Sequence, residues 1–200
     1  MPALCVGLAT PPAVNAQSLL PLSVEGHAGV SLPMGDFGDL ANPSYGLGAT
    51  VVYDLAPMIG IRAGYNYQRF GVDEEESVGA DAEYTDSGFA LGLELNPVLT
   101  PGLDLLLHAD AILHQFVARA DVQIAVGWEV QESEWSVTSD HRFGFDVGAG
   151  LAFPVGPRVS IVPRVRYRRY NAESDFGRNV ESGEDDISYF AGGLGVRVQL

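Results

Sequence analysis

The stretch Ile187–Leu200, ISYFAGGLGVRVQL, alternates between apolar residues and residues that are polar or glycine. One parity is apolar and contains Phe190, Leu194, Val196, Val198 and Leu200. The other parity contains Tyr189, Gly193, Gly195, Arg197 and Gln199. Because successive side chains of a β-strand point to opposite faces, this period of two predicts a strand with one apolar and one polar face.

Seven earlier runs share this period, and they cover about residues 24–32, 45–53, 59–68, 88–95, 103–116, 143–153 and 159–168. The connections between the runs alternate in length. The short ones are Asp54–Met58, Asn96–Gly102 and Pro154–Arg158. The long, mostly acidic ones are Met34–Ser44, Gly71–Asp86, Val117–His141 and Asn171–Asp186. All short turns therefore fall at one end of an antiparallel sheet, together with both termini, which is typical of outer-membrane barrels.

The strand count has one alternative. Val122–Val130 also alternates, which would give ten strands. The segment after it, Trp135–Asp140, is too short to cross a membrane again, so we interpret residues 122–140 as a hairpin standing outside the bilayer. Eight strands can close into a barrel, in which the eighth pairs with the first because a barrel has no free edge.

The polar parity is expected to face the barrel interior. It holds twelve of the 24 glycines, which weaken a solvent-facing strand but make room for long side chains inside a narrow barrel. Five acids and five arginines on this parity cancel in charge, as burial requires. The predicted interior charge network consists of Glu25, Arg62, Glu94, Asp104, Asp110, Asp146, Arg164, Arg166 and Arg197, with Arg168 on the same face.

Two pairs within this network can be predicted from register. A symmetric turn about Pro154–Pro157 sets Asp146 opposite Arg166. Closure of the barrel brings Glu25 near Arg197. The fold class is therefore all-β: an eight-stranded antiparallel up-and-down transmembrane β-barrel with a polar, charge-paired interior.

The apolar parity is expected to face lipid. It has aromatic residues near the ends of an aliphatic band, as in the girdles of membrane barrels. These lipid-interface aromatics are Tyr45, Tyr53, Tyr65, Tyr67, Phe143, Phe153, Tyr167 and Phe190. A soluble, lipocalin-like binder is the alternative, and it would have the apolar parity inside.

Two segments resemble a known family. ISYFAGGLGVRVQL resembles the terminal strand that the outer-membrane assembly machinery recognises, although Leu200 stands where that family usually has an aromatic residue. GVSLPMGDF, Gly29–Phe37, resembles the end of the first strand in small outer-membrane β-barrel domain proteins, the OmpA/OmpX/OmpW-like group. The resemblance covers about residues 22–200 through pattern. It implies a cell outer-membrane location, with termini and short turns periplasmic and long loops extracellular.

The N-terminal residues differ from the rest of the chain. No charged residue occurs from Met1 to Val24, and small residues precede Gln17. We interpret residues 1–16 as a signal peptide that is truncated at its start, because no Lys or Arg stands near Met1. Residues 17–200 then form the barrel domain. The alternative is an apolar, disordered N-terminus.

Composition excludes several classes of function. The 26 acidic residues outnumber 11 arginines, and lysine is absent, so nucleic-acid binding is not expected. The single cysteine, Cys5, allows no intramolecular disulfide. No stretch reaches the ~18 apolar residues of a membrane helix. No phosphate-binding loop or nucleophile motif occurs, so we expect no cofactor and no catalysis.

Three features are candidate binding sites. His108, Asp110 and His114 share one face of a strand, but one strand spaces these donors too far apart to hold a metal alone, so no metal is predicted. The acidic tips Asp73–Glu76 and Glu184–Asp186 either are simply solvated or bind lipopolysaccharide phosphates through divalent cations. An apolar set in the third long loop either packs on itself or forms an adhesion patch: Val122, Ile124, Val126, Trp128 and Trp135.

The sequence thus favours a monomeric outer-membrane barrel with a structural or surface-interaction role. Its expected partners are outer-membrane lipid, lipopolysaccharide and the assembly machinery. One alternative is a small channel that passes hydrophobic compounds sideways into the membrane, as the OmpW-like resemblance implies. A lipid A-modifying barrel enzyme is a further alternative, although no nucleophile can be identified.

Overall fold

A computed structural model describes residues 21–71, 80–126, 129–173 and 184–200. Residues 1–16, interpreted above as a signal peptide, lie outside this part of the chain. The described elements, in chain order, are β1 (Leu22–Met34), α1 (Asp36–Leu40), β2 (Ser44–Ala56), β3 (Ile59–Gly71), β4 (Ala80–Leu95), β5 (Val98–Thr100), β6 (Leu103–Val126), β7 (Glu129–Thr138), β8 (Arg142–Pro154), β9 (Val159–Glu173) and β10 (Glu184–Gln199).

Eight of the strands form a closed antiparallel barrel in the order β1, β2, β3, β4, β6, β8, β9, β10. β10 returns to β1, with a register that runs from Ser23 opposite Gln199 to Met34 opposite Ser188. The predicted eight-stranded fold and the predicted closure between first and last strands are confirmed. β5 is a short strand beside the start of β6, and β7 pairs with the far end of β6.

The orientation of the two faces is also confirmed. On β4, Leu91 and Leu93 are 61% and 53% exposed on the outer wall. Arg168 on β9 is 0% exposed inside the barrel. A soluble barrel would have the reverse arrangement, so the lipocalin-like alternative is wrong.

Several strands run further into the predicted loops than the apolar pattern indicated. β4 begins at Ala80 and β9 continues to Glu173, so parts of two predicted loops are strand. The interpretation of residues 122–140 as a hairpin is confirmed in outline, since β7 pairs with β6 from Val117 opposite Thr138 to Val126 opposite Glu129. The acidic tip Asp73–Glu76 and the side chains of Trp128 and Trp135 lie outside the described residues, as do those of Val122, Ile124 and Val126.

Ser139 fixes the base of this hairpin. Its hydroxyl accepts a hydrogen bond from the backbone N–H of Phe116 at 2.9 Å, and its own N–H donates to the Phe116 carbonyl at 2.8 Å. At this point the neighbour of β6 changes from β8 to β7. From here β6 extends beyond its contact with β8 by roughly 35 Å, at about 3.3 Å per residue.

The loop end of the barrel is closed by an apolar cluster that alternation alone did not predict. α1 sets Phe37 into the barrel mouth, where the ring lies 5.1 Å from Phe70 and 5.8 Å from Phe116, measured between centroids. The buried members of the cluster are Phe37, Ala41, Phe70, Ala90, Ile112, Tyr170, Ile187, Tyr189 and Ala191. The interior is therefore charge-paired in the middle and apolar at this end. No helix of the described chain is long and apolar enough to cross a membrane.

Candidate functional site in the barrel lumen

The charged side chains of the lumen form two groups. In the group nearer the short turns, Arg197 bridges two carboxylates: its Nη1 donates to Glu94 Oε1 at 2.6 Å, and its Nε donates to Glu25 Oε2 at 3.0 Å. The predicted proximity of Glu25 and Arg197 is confirmed. Arg164 pairs with the other oxygen of Glu25. Arg62 lies 3.4 Å from Asp110 and 3.8 Å from Glu94.

The second group, nearer the long loops, is built around Arg168. Its Nη2 donates to Asp146 Oδ2 at 2.6 Å, and its Nη1 donates to the Tyr189 hydroxyl at 2.9 Å. Tyr189 in turn donates to Asp86 Oδ2 at 2.6 Å. The second oxygen of Asp86 lies 2.5 Å from Nδ1 of His114. This chain of contacts crosses the lumen directly beneath the apolar cluster.

The predicted pairing of Asp146 with Arg166 is wrong. Asp146 lies opposite Arg168, because the turn between β8 and β9 is centred one residue later than a symmetric Pro154–Pro157 turn would be. Pro154 faces Ser160, and the N–H groups of Val155 and Gly156 both donate to the Val159 carbonyl. This shift in register moves the partner of each β8 residue by two positions along β9. Because side chains alternate with a period of two, every side chain keeps its predicted face.

Two acids differ from the predicted network: Asp104 lies on the inner face as predicted but outside the ion pairs, and Asp86 joins them. Asp104 is half-buried at the short-turn end, and within the described chain it makes no ion pair. Asp86, assigned to a loop by sequence, is 0% exposed inside the barrel. The buried part of the described lumen therefore still holds five acids and five arginines: Glu25, Asp86, Glu94, Asp110 and Asp146, and Arg62, Arg164, Arg166, Arg168 and Arg197.

Glycines supply the space for these side chains, as predicted. A Cβ atom at Gly195 would lie 2.6 Å from Oε1 of Glu25. A Cβ atom at Gly148 would lie 2.5 Å from Cε1 of His108. Both distances are shorter than ordinary van der Waals contact, so a larger residue at either position would displace a member of the charge network.

Donor atoms of His108, Asp110 and Asp146 come within 4.8 Å of one another. This set differs from the His108, Asp110 and His114 set considered from the sequence, because His114 contacts Asp86 instead. His108 Nε2 is 3.1 Å from Asp146 Oδ1, and both carboxylates already contact arginines. A divalent cation there would compete with Arg62 and Arg168 for these carboxylates, so the geometry is that of a structural network.

The eight predicted lipid-interface aromatics all lie on the outer wall. Tyr45 and Phe143 are each the second residue of a strand at the loop end, and Phe143 is 79% exposed. Tyr53 and Phe153 lie toward the short-turn end. The other four lie further from the strand ends: Tyr65, Tyr67, Tyr167 and Phe190. The ring centroids of Tyr167 and Phe190 are 5.1 Å apart. Their contact with lipid remains a proposal.

A closed barrel with an apolar outer wall and a neutral, side-chain-filled lumen defines a class of membrane protein, and the comparisons with known proteins agree. A family model described as "Outer membrane protein beta-barrel domain" matches residues 1–199, so the chain belongs to that family of outer-membrane barrels. No curated protein matches the sequence.

Solved structures share the fold at low sequence identity. The Ail protein of Yersinia pestis is 20% identical with a TM-score of 0.55, over 90% of this chain and 97% of that one. Neisserial surface protein A is 17% identical with a TM-score of 0.58, over 90% and 97%. A major outer membrane protein of Thermus thermophilus is 14% identical with a TM-score of 0.58, over 90% and 99%. At these identities the likeness shows the fold alone.

Proposed function

We propose that this protein is a non-conducting, non-catalytic outer-membrane barrel that supports a surface-interaction element, the β6–β7 hairpin. The filling of the lumen carries this proposal. At the short-turn end there is a cavity of about 460 Å³, and Arg197 of the charged network lines it. Above it lie the Arg168 network and then the apolar cluster that includes Phe37. An eight-stranded barrel is just wide enough for such side chains and leaves no space for an open pore.

The hairpin continues β6 past the end of its pairing with β8, at His114 opposite Arg142, and pairs it with β7 as far as Val126. Its sequence, residues 117–138, has four acids and one arginine. A partner with a basic surface fits that charge. Ail, whose name describes an attachment and invasion locus protein, has the same fold, which supports a surface role. The long loops and the hairpin are proposed to be extracellular, with both termini periplasmic.

Conductance and binding measurements test this proposal together. The purified protein in planar lipid bilayers should give no single-channel conductance. Cells that display it should bind a basic polypeptide such as polylysine. A variant with residues 120–135 replaced by Asn-Gly should lose that binding while keeping the heat-dependent gel shift of a folded barrel. Steady conductance by the unaltered protein, or full binding by the shortened variant, would contradict the proposal.

Cysteine labelling tests the orientation. Ser136→Cys places a thiol on the hairpin, and Gly156→Cys places one in a short turn. A membrane-impermeant maleimide should label the first variant in intact cells and the second only after lysis. Equal labelling of both in intact cells would show that the assignment of sides is wrong.

One observation favours the sideways channel as a second candidate. A crevice of about 540 Å³ opens at the loop end beside the β8–β9 pair, and Phe143 and Phe145 line it. Its inner wall is closed by Tyr170, which is buried in the apolar cluster. Uptake of an alkane by cells, raised by Tyr170→Ala and absent without the protein, would support this candidate over the first.

A further inference from the structure

A small cavity lies in the lumen beside the seam between β1 and β10. Its polar lining consists of His27, Ser31, Gln68, Arg164 and Arg166. The cavity has room for one water molecule or one monatomic ion. No carboxylate is found among the described residues that line it.

Arg166 is buried here without a counter-charge in contact. It is 8% exposed, and its Nη1 donates to the Asn66 side-chain oxygen at 2.6 Å and lies 3.5 Å from Nε2 of His27. Within the described chain, no carboxylate lies within ion-pair distance of it. Burying a charge without a counter-charge is costly, so a guanidinium in this position attracts an anion.

The lumen has equal numbers of acids and arginines, but Arg166 still has no carboxylate in contact, because other arginines each contact one or two of them. Arg168 takes two carboxylates, lying 2.6 Å from Asp146 and 3.8 Å from Asp86. Arg197 bridges Glu25 and Glu94, and Arg62 faces Asp110. The carboxylates are thus committed to other arginines.

Arg164 provides unpaired donors in the same cavity. Its Nη2 pairs with Glu25, but its Nε and Nη1 have no hydrogen-bond partner among the described residues, and the residue is 7% exposed. In this cavity, Arg164 therefore leaves two donor groups without partners, and Arg166 has no carboxylate in contact. A water molecule would satisfy the donors but not the charge.

We propose that this cavity binds a single monatomic anion of the halide class, held between Arg164 and Arg166. The cavity is too small for a sulfate or phosphate, which restricts the site to a monatomic ion. The anion would complete the middle of the lumen, between the Arg197 and Arg168 networks.

Bromide tests the site directly. In crystals of the full protein grown with sodium bromide, anomalous scattering at the bromine edge should give a peak in the cavity between Arg164 and Arg166. The absence of a peak there overturns the proposal, and so does bromide found solely beside exposed arginines such as Arg69 and Arg169.

A stability titration provides a second measurement in detergent micelles. When sodium bromide replaces sodium gluconate at constant ionic strength, the Tm should rise saturably, by about 3–6 °C at a tenfold excess over Kd. Arg166→Gln should abolish this rise, and the exposed neighbour variant Arg169→Gln should retain it. If Arg166→Gln does not fold, the Tm of the wild-type protein is compared in bromide and in sulfate. A rise in Tm that is specific to bromide supports the proposed site, and an equal rise in both salts contradicts it.

Discussion

Arg168 and Asp146 lie directly opposite each other on β9 and β8, and the guanidinium donates from both Nε and Nη2 to one carboxylate oxygen, at 2.9 and 2.6 Å. Both side chains are almost completely buried. The next residue on the strand, Arg169, points outward and makes an exposed pair with Asp186 at 2.5 Å. Neighbouring residues thus form the same kind of ion pair in opposite environments.

This contrast gives a matched stability prediction. Arg168→Met leaves Asp146 and Asp86 buried without their cation, so the free energy of unfolding should fall by about 3–5 kcal/mol. Arg169→Met removes an exposed pair that contributes about 0–1 kcal/mol. Urea unfolding in detergent micelles measures both. Equal losses for the two variants would contradict the burial of the Arg168 network.

The outer wall can be tested by placing a charge on it. Leu93→Arg on β4 should cost about 2–4 kcal/mol if the residue faces the middle of the bilayer. Leu99→Arg, on the exposed β5 at the short-turn end, should cost about 0–1 kcal/mol. Unfolding in lipid vesicles compares the two. Tolerance of arginine at Leu93 would show that this face does not contact acyl chains.

The aromatic lid gives a third prediction. Phe37→Ala removes a ring that packs against Phe70 and Phe116, and by analogy with buried phenylalanines it should cost about 3–5 kcal/mol. Conductance in planar bilayers should remain absent, because the Arg168 and Arg197 networks still fill the lumen below. Current through this variant would show that the lid alone closes the barrel.

The His108, Asp110 and Asp146 cluster gives a negative prediction. Zinc ions should leave the Tm unchanged, because both carboxylates already contact arginines. Thermal unfolding with zinc and with a chelator measures this. A zinc-dependent rise in Tm that His108→Ala abolishes would show a metal site.

Alternation was sufficient to predict which way side chains point, but not how far strands extend. Asp86 shares the parity of Gly88 and Glu94, so continuing that parity backwards would have found it inside the barrel. The apolar pattern places it in a loop, because the outward positions beside it, Thr85 and Ser87, are polar above the apolar band. An outer wall that leaves the lipid no longer needs apolar residues, so the sequence signal ends before the strand does.

Register and loop packing depended on geometry that alternation does not contain. The partner of Asp146 changed from Arg166 to Arg168 because of one residue in a turn. The position of Phe37 in the barrel mouth depends on α1, a helix of five residues in a connection with no periodic pattern. Such features are set by tertiary contacts with Phe70 and Phe116, which lie on distant strands.

The hydrogen bond between Glu25 and Arg197 joins residues 172 positions apart in the chain. A contact this distant cannot form early, because the entropy of bringing the two ends together is lost before any neighbouring contact compensates for it. Until then, β1 and β10 each present a row of unpaired backbone groups that can join another chain. Slow, cooperative assembly is the expected consequence, and an intermediate at this stage is prone to aggregation unless another protein covers its open edges.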